Sequence, residues 1–373
     1  MADLATTVDN LRFPNPFLIG SGPPSTHGAV IARAFEEGWG GAVTKTACLD
    51  ATRIVNVSPR YARLRDPVSG EIYGWENIEL ISDRPFAAWL DDFRRLKERF
   101  PDRPLIASVT EECSRDAWAE IVTRTQETGV DALELNLSCP HGLPERRMGS
   151  AVGQDPDLVA RTCAWVMEFA RVPVWAKLTP NITRIDEPGR AALRAGCHGL
   201  TAINTVLCVM GINLETLRPE PTVQGYSEPG GYSGRAIRPI ALRMNVELAR
   251  LIRDEYPGRS LSGIGGIETG QDAAQFLLVG ANTVQICTGV MKHGYGMIRT
   301  LCDGLAAFMD RHGFDSVEAF RGHSLEFFTS HEELVRRYAE ARRRGQAARG
   351  LPDEEWSPAE LARQSETIAE DLQ

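Results

Sequence analysis

The sequence predicts an α/β protein, a (β/α)8 TIM barrel with long βα loops and a C-terminal helical extension. Three observations lead to this prediction. Eight short β-rich runs alternate with amphipathic helical patterns along the chain. Most of the runs are almost continuously apolar, which is typical of strands buried on both faces of a parallel sheet. Eight repeats of strand and helix fit a barrel better than a doubly wound sheet.

The predicted strands are short, mainly apolar runs, and most of them end at a polar residue or a glycine. They lie at residues 17–20, 42–45, 105–109, 132–136, 172–177, 199–204, 261–265 and 283–288. The predicted helices are the amphipathic stretches that alternate with them. They lie at residues 30–37, 85–99, 115–128, 156–171, 187–195, 239–256, 269–279 and 295–312.

Three connections that follow predicted strands are unusually long, at residues 46–84, 137–155 and 205–237. Loops of more than about 12–15 residues are usually functional in compact domains. In a barrel these connections all rise from the C-terminal ends of the strands, on the face where active sites lie. We therefore predict the active site among these loops.

The chain after residue 314 has a different character, so we divide it into a catalytic barrel at residues 1–314 and a helical extension at residues 315–373. Ser330 and Ser357 are each followed three positions later by glutamate, the capping-box pattern that begins a helix. Two helices are therefore predicted, the first rich in arginine. We interpret them as solvated helices packed on the outside of the barrel. A docking surface for a partner is the alternative interpretation.

Composition excludes several classes of protein. The net charge of −9 over 373 residues argues against a nucleic-acid partner, because such proteins concentrate basic charge. No run of about 18 apolar residues is present, so no membrane span is predicted. The first residues do not resemble a secretory signal, so we expect a cytoplasmic protein whose eight cysteines are reduced. No two cysteines have Cys-x-x-Cys spacing, and we expect no metal or iron–sulfur site.

Polar residues and glycines at the ends of the predicted strands point to one shared pocket. They are Lys45, Asn136, Lys177, Asn204, Thr205, Gly265, Gly266 and Thr288. Glycines allow backbone N–H groups to approach a phosphate closely, and the segment 230–234 could supply a second phosphate loop. Lys177 follows an apolar run, and a buried ammonium needs an anionic partner or loses its proton. We expect a reduced flavin to be that partner.

Cys139 has two interpretations. A lone buried cysteine is usually a structural thiol. However, Asn136, Ser138 and His141 place polar groups around it, and Pro140 stiffens a loop that begins where a core strand ends. A thiol with a pKa of about 8.5 can exchange a proton near neutral pH, so Cys139 is also a candidate general acid or base.

At these residues the sequence resembles the flavin- and pyrimidine-binding part of dihydropyrimidine dehydrogenases, in particular the catalytic subunit of the bacterial NAD-dependent form. It is more distantly similar to class 1 dihydroorotate dehydrogenases. The similarity runs over residues 8–314, and the Cys-Pro-His-Gly run with the stretch around Arg238 favours the pyrimidine enzymes. The matching segments are residues 33–40, 44–46, 77–82, 133–142, 153–156, 176–181, 204–205, 236–242 and 263–267.

The resemblance implies an FMN-dependent enzyme that acts on the 5,6 CH–CH bond of a pyrimidine or a related cyclic amide. It implies that FMN is held by Ser21, Lys45, Thr46, Lys177, Gly234, Gly265, Gly266, Cys287 and Thr288. It implies that the pyrimidine is held by Asn77, Asn136, Leu137, Ser138, Asn204 and Thr205. Cys139 would exchange a proton at C5 while hydride passes between C6 and flavin N5. An asparagine amide offers one donor group and one acceptor, which suits the edge of an uncharged pyrimidine.

The sequence departs from the family pattern in three places. Many family members carry iron–sulfur clusters after the barrel in the same chain, whereas this chain has no cluster spacing there. We therefore expect a partner protein to supply electrons, and we expect a homo-oligomer. Residues 206–226 match the family poorly, which leaves the substrate open. Glu111 and Glu112 follow the third predicted strand without an assigned role.

Two alternative functions are kept from the sequence. One is dihydroorotate oxidation, which requires a cation for the orotate carboxylate, whereas the asparagine set suits a neutral ligand. The other is a flavin-binding subunit that transfers electrons without turning over a substrate of its own. The presence of Cys139 and of the polar substrate positions argues against this second alternative.

Overall fold

The computed structural model describes residues 2–139 and 148–343 of the chain. The chain divides into two compact units, Met1–Leu325 and Glu326–Gln373. The first unit continues past Phe314, because Val317, Phe320 and Leu325 are buried in its main hydrophobic core. The boundary proposed from the sequence at residue 314 stays a prediction.

The strands of the described residues are numbered in chain order. They are β1 (Thr6–Val8), β2 (Leu11–Phe13), β3 (Phe17–Ile19), β4 (Gly41–Val43), β5 (Tyr61–Arg65), β6 (Ile72–Asn77), β7 (Leu105–Val109), β8 (Ala132–Asn136), β9 (Val174–Lys177), β10 (Gly199–Ala202), β11 (Val206–Cys208), β12 (Gly211–Asn213), β13 (Arg218–Glu220), β14 (Gly230–Ser233), β15 (Ser260–Ile264) and β16 (Thr283–Ile286).

Eight of these strands form a closed parallel barrel in the order β3-β4-β7-β8-β9-β10-β15-β16, with β16 pairing β3. Each barrel strand coincides with one predicted from the sequence, so the (β/α)8 fold class is confirmed. Several predicted strands are one or two residues too long at their C-terminal ends. Lys45, Asn204 and Thr288 therefore lie beyond their strands, where their side chains are available to a site.

The helices of the described residues are α1 (Gly28–Glu37), α2 (Phe86–Arg99), α3 (Arg115–Gln126), α4 (Ser150–Gly153), α5 (Pro156–Phe169), α6 (Asp186–Arg194), α7 (Arg238–Glu255), α8 (Gly270–Leu278), α9 (Thr288–His293), α10 (Ile298–His312) and α11 (His331–Arg343). The helices of the first unit, α1 to α10, surround the barrel or lie in its loops, and α11 belongs to the second unit. Local capping explains two of the starts. Asp155 accepts hydrogen bonds from the N–H groups of Asp157 and Leu158 before α5, and Thr269 with Asp272 forms a capping box before α8.

The main core lies between the barrel and its helices and contains fully buried aromatic residues such as Trp39, Trp89 and Trp118. A second cluster fills the barrel end beneath the β1–β2 hairpin. There the indole nitrogen of Trp175 donates a 2.6 Å hydrogen bond to Oδ2 of Asp9, which follows β1. This plug closes the N-terminal end of the barrel and leaves the C-terminal end for a site.

The two longest connections contain a second sheet that the sequence did not predict. Strands β5 and β6 lie in residues 46–84, and β11 and β14 lie in residues 205–237. These four strands pair antiparallel in the order β11-β14-β6-β5, and we call them the cap sheet. The buried carboxylate of Glu76 stabilises it by accepting hydrogen bonds from the N–H groups of Met210 (2.7 Å) and Gly230 (2.8 Å).

The second unit shows one of the two hydrogen bonds of the predicted capping box. The hydroxyl of Ser330 accepts a 3.2 Å hydrogen bond from the N–H of Glu333, and α11 follows. Arg336 and Arg337 both donate to the Glu333 carboxylate. The helix predicted from Ser357 lies outside the described residues. Across the described ranges, no helix is long and apolar enough to cross a membrane.

Candidate active site

A cleft of about 1100 Å³ opens at the C-terminal ends of the barrel strands, and the cap sheet contributes to its walls. It brings together all the site residues predicted from the sequence except Leu137 and Ser138. Those that line it are Ser21, Lys45, Thr46, Asn77, Asn136, Cys139, Lys177, Asn204, Thr205, Gly234, Gly265, Gly266, Cys287 and Thr288. Strand ends and the cap sheet thus converge on one site.

Leu137 and Ser138 are buried behind the cleft. The Ser138 hydroxyl donates a 3.1 Å hydrogen bond to Oδ1 of Asn136 and accepts one of 2.9 Å from Nδ2 of Asn204. Ser138 therefore orients the two asparagines, whereas Leu137 belongs to the hydrophobic core.

Three asparagine amides face the cleft from different elements. Nδ2 of Asn136 donates to Oγ1 of Thr46 at 2.9 Å. The side-chain oxygen of Asn204 accepts from the N–H of Thr205 at 2.8 Å. Asn77 reaches the cleft from the cap sheet and donates to the carbonyl of Gly231 at 3.1 Å. These hydrogen bonds fix the amides in place before any ligand binds.

Lys45 is paired with a carboxylate that the sequence argument did not assign. Its Nζ lies 2.8 Å from Oε2 of Glu79, and both side chains are buried. Glu79 also accepts a 2.8 Å hydrogen bond from the hydroxyl of Tyr61, and Nη1 of Arg60 lies 3.4 Å from its other oxygen. Burial, and then the charge of Glu79, raises the pKa of Tyr61 well above its usual value. The Tyr61 hydroxyl therefore remains a donor.

Lys177 is also paired with a protein carboxylate. Its Nζ lies 3.6 Å from Oε1 of Glu134, and the two side chains are 4% and 0% exposed. Nε2 of Gln285 donates a 2.7 Å hydrogen bond to the other oxygen of Glu134. Glu134 is thus an anionic partner of Lys177 that the sequence argument did not assign, and the expected flavin partner stays a prediction. Glu134 lies two residues before Asn136 on the same strand, so it shares the inward face.

Cys139 lies in a more apolar place than its sequence neighbours indicated. It packs at the edge of a cluster formed by Cys48, Ala51, Ile54 and Ile81. Its carbonyl accepts a 3.0 Å hydrogen bond from the N–H of Ser150. Pro140 and His141, which contributed to the sequence argument, lie outside the described residues. Apolar neighbours thus accompany the polar groups expected around Cys139, and Cys139 does line the cleft.

Glycines shape the end of the cleft near β15 and β16. Gly234, Gly265 and Gly266 have φ angles of 93°, 141° and 73°. A Cβ atom on Gly266 would lie 2.8 Å from the carbonyl oxygen of Gly234, so a side chain would fill this cradle. Close backbone packing of this kind suits a phosphate group. The residues therefore fit the phosphate end of a flavin mononucleotide.

The second phosphate loop predicted at residues 230–234 is only partly present. Gly230 and Gly231 lie in β14, where Gly230 donates to Glu76, so they are not a phosphate loop. Ser233 and Gly234 do line the cleft, and the Thr288 hydroxyl donates to the Ser233 hydroxyl at 3.0 Å.

Cys287 lines the same end of the cleft. Burial raises the pKa of its thiol to about 11, although the nearby cations Lys177 and Lys45 oppose this shift. Cys287 is therefore a neutral thiol near pH 7.

Glu111, which had no role in the sequence argument, is a buried acceptor for the N–H of Leu49. It thereby ties the start of the long connection after β4 to the end of β7. The sequence argument also missed Tyr61, Trp75 and Gln285 among the residues that line the cleft.

The fold and the site together define a (β/α)8-barrel enzyme with a polar cleft at the carboxyl ends of its strands. The chain belongs to the dihydroorotate dehydrogenase family, which it matches over residues 3–309. The predicted resemblance is confirmed, and the chain is an oxidoreductase of the dihydropyrimidine and dihydroorotate dehydrogenase type. This is a family of flavin-binding enzymes.

Three relatives illustrate this membership. The chain is 56% identical to a protein of Arabidopsis thaliana named dihydropyrimidine dehydrogenase (NADP(+)), chloroplastic, covering 98% of this chain and 88% of the relative. It is 40% identical to the NAD-dependent dihydropyrimidine dehydrogenase subunit PreA of Escherichia coli K12, covering 90% and 80%. It is 35% identical to the dihydroorotate dehydrogenase B (NAD(+)) catalytic subunit of Pyrococcus abyssi, covering 87% and 99%. The cytoplasmic location and the homo-oligomer stay predictions.

Proposed function

We propose that the protein is an FMN-dependent dihydropyrimidine dehydrogenase that interconverts uracil or thymine and the corresponding dihydropyrimidine. One observation favours an uncharged substrate over a charged one. Among the described residues that line the cleft, the lysines and arginines are Lys45 and Lys177, and each is paired with a buried carboxylate. Dihydroorotate carries a carboxylate that needs a cation of its own, whereas both lysines are paired with carboxylates and, in this proposal, serve the flavin. A neutral ring bound by amides is the better match.

The cofactor site follows from the same residues. Bound FMN would supply a hydride donor or acceptor at its N5 atom. Its phosphate fits the cradle of Gly234, Gly265 and Gly266, and Thr288 lines the cleft beside that cradle. Lys45 and Lys177 would favour negative charge on the reduced ring, and Ser21, Thr46 and Cys287 would complete the contacts. Such groups stabilise developing charge because they are oriented before reaction.

The substrate site combines amides with a thiol. Asn77, Asn136 and Asn204, together with Thr205, offer both donors and acceptors, and a uracil edge alternates the complementary groups. Cys139 lines the same cleft and would give its proton to ring carbon C5 in the reductive direction.

We infer that a second protein delivers the electrons. The described residues contain no group of cysteine, histidine or carboxylate side chains suited to a metal. Two relatives are named as subunits, and the Arabidopsis relative is named for NADP(+). Since that relative matches 98% of the chain, the similarity includes most of the residues after the barrel. Residues 326–343 are a candidate docking region.

An anaerobic spectroscopic experiment tests the proposal. The purified chain should show flavin absorption, and the flavin released on denaturation should be FMN. After photoreduction, uracil or thymine should reoxidise the bound flavin. A protein that binds no FMN on reconstitution would contradict the proposal, and so would a reduced protein that neither uracil nor thymine reoxidises.

A further inference from the structure

The inside of the barrel is unusually polar beneath the cleft. Large branched apolar side chains dominate the interior of most barrels of this kind. Here Ser108, Glu134, Thr201, Ser262 and Gln285 are all buried on barrel strands, each at most 3% exposed. A carboxylate with no exposed surface is costly unless it is paired and hydrogen-bonded. This column of polar groups therefore needs a reason beyond packing.

Glu134 is held from one side by neutral hydrogen-bonding groups. Nε2 of Gln285 donates to Oε2 of Glu134 at 2.7 Å and lies 3.3 Å from the hydroxyl of Ser262. The hydroxyl of Thr283 in turn donates to Ser262 at 2.9 Å. This chain of contacts fixes one carboxylate oxygen across three strands. The other oxygen, Oε1, is left to Lys177.

Lys177 lies at the top of this column and reaches the cleft. The other charged or titratable groups that line the cleft are the neutral thiol of Cys287, the paired Lys45 and Glu79, Tyr61, Cys139 and Glu268, and Glu268 is paired with Lys292. None of these supplies Lys177 with an anion of its own, because Glu79 is shared among Lys45, Arg60 and Tyr61. Glu134 is therefore the carboxylate available to compensate Lys177.

We propose that Glu134 is a positioning residue that keeps Lys177 protonated and holds its ammonium group at the cleft. The cation is then present before a bound flavin ring becomes negatively charged. This rests on the proposed function, in which the ring belongs to FMN. A desolvated lysine without a nearby anion loses its proton at a much lower pH than an exposed one. Without Glu134, Lys177 becomes neutral as the pH rises, and the stabilisation of a reduced, anionic ring is lost.

The first test measures the flavin midpoint potential against pH in FMN-loaded wild type, E134Q, K177M and T201V. Thr201 pairs in register with Lys177, and its buried hydroxyl has no hydrogen-bond partner among the described residues. T201V is thus a matched control that changes no charge. The potential of wild type and of T201V should stay above that of K177M at every pH. The potential of E134Q should fall to that of K177M as the pH rises from about 7 to about 10.

The second test needs no flavin and compares the unfolding free energy of E134Q with that of the double variant E134Q/K177M. In E134Q the buried Lys177 lacks its carboxylate partner, so burial should favour the neutral amine in the folded chain relative to the unfolded chain. As the pH falls from about 10, the unfolded chain takes up the proton first, so stability is lost toward low pH. As the pH rises from about 7 to about 10, E134Q should therefore gain stability relative to the double variant.

The two tests separate this proposal from the assignment of FMN. Failure of wild type to bind FMN would contradict the proposed function, while the unfolding comparison would still decide the role of Glu134. An E134Q protein whose potential tracks wild type at every pH would overturn the positioning role. So would a stability difference between E134Q and the double variant that does not change with pH.

Discussion

Nδ2 of Asn204, just beyond β10, donates a 2.9 Å hydrogen bond to the hydroxyl of Ser138, which follows β8. Ser138 itself is fully buried and also donates to Asn136. A residue that does not line the cleft thus couples two amides that do. The geometry of substrate recognition in our proposal depends on this hydroxyl.

The variant S138A tests this coupling. Loss of a buried hydrogen-bonding group costs about 1–3 kcal/mol, so kcat/KM for uracil should fall about 5- to 160-fold while FMN stays bound. Steady-state kinetics and the flavin content measure the two effects. An unchanged kcat/KM would show that Asn136 and Asn204 are oriented without Ser138.

The thiol at the edge of the cleft is tested with C139A. FMN should stay bound, and turnover should fall by roughly 10²–10⁴, which is the usual contribution of a general acid. As the pH rises, the activity of C139S should fall less steeply than that of wild type, because a serine hydroxyl keeps its proton at high pH. The control is C48A, which removes a neighbouring thiol of the same apolar cluster. An equal loss in C48A would indicate disturbed packing in place of lost proton transfer.

The neutral character of the cleft is tested with E79Q. Removing the carboxylate 2.8 Å from Lys45 leaves that ammonium without its closest anion. The cleft should then accept a charged ring, and inhibition by orotate should become about tenfold stronger relative to uracil, a change of about 1.4 kcal/mol. Competition binding of orotate and uracil to the oxidised protein measures this change in relative affinity. Orotate affinity that does not change would mean that Lys45 is shielded from the ligand.

The glycine cradle is tested by comparing G266A with G294A. Both glycines have a φ angle of 73°, which is unfavourable for any residue with a side chain, so each alanine meets a backbone penalty. Only Gly266 has close neighbours, with Gly234 oxygen 2.8 Å from the Cβ position, whereas nothing lies within 4 Å at Gly294. G266A should therefore lose FMN affinity and more stability than G294A. Equal losses of FMN affinity and of stability in the two variants would exclude a packing role for the cradle.

The barrel could be predicted from sequence because its strands are local, mainly apolar runs. Phe17–Ile19 and Leu105–Val109 are buried throughout and end where polar residues begin. The cap sheet was missed because its strands lack that signal. Val206–Cys208 is only partly buried, and β14 begins with two glycines, so their pairing depends on contacts between distant parts of the chain.

The site was predicted residue by residue more completely than its electrostatics. The lysines at strand ends are visible in the sequence, but their partners Glu79 and Glu134 are set by tertiary contacts. The spacing of Glu134 from Asn136 places both on one face of β8. This spacing was the available signal in the sequence that Glu134 faces the inside of the barrel. The apolar surroundings of Cys139 come from residues 48–54 and Ile81, and no local pattern around residue 139 indicates them.

The rate at which different pyrimidines reoxidise the photoreduced, FMN-loaded protein tests the central claim most directly. Because both cations of the described cleft lining are paired with carboxylates, uracil and thymine should reoxidise the flavin rapidly, and orotate should do so slowly or not at all. Rapid reoxidation by orotate, with none by uracil or thymine, would contradict our account of a cleft built for an uncharged ring.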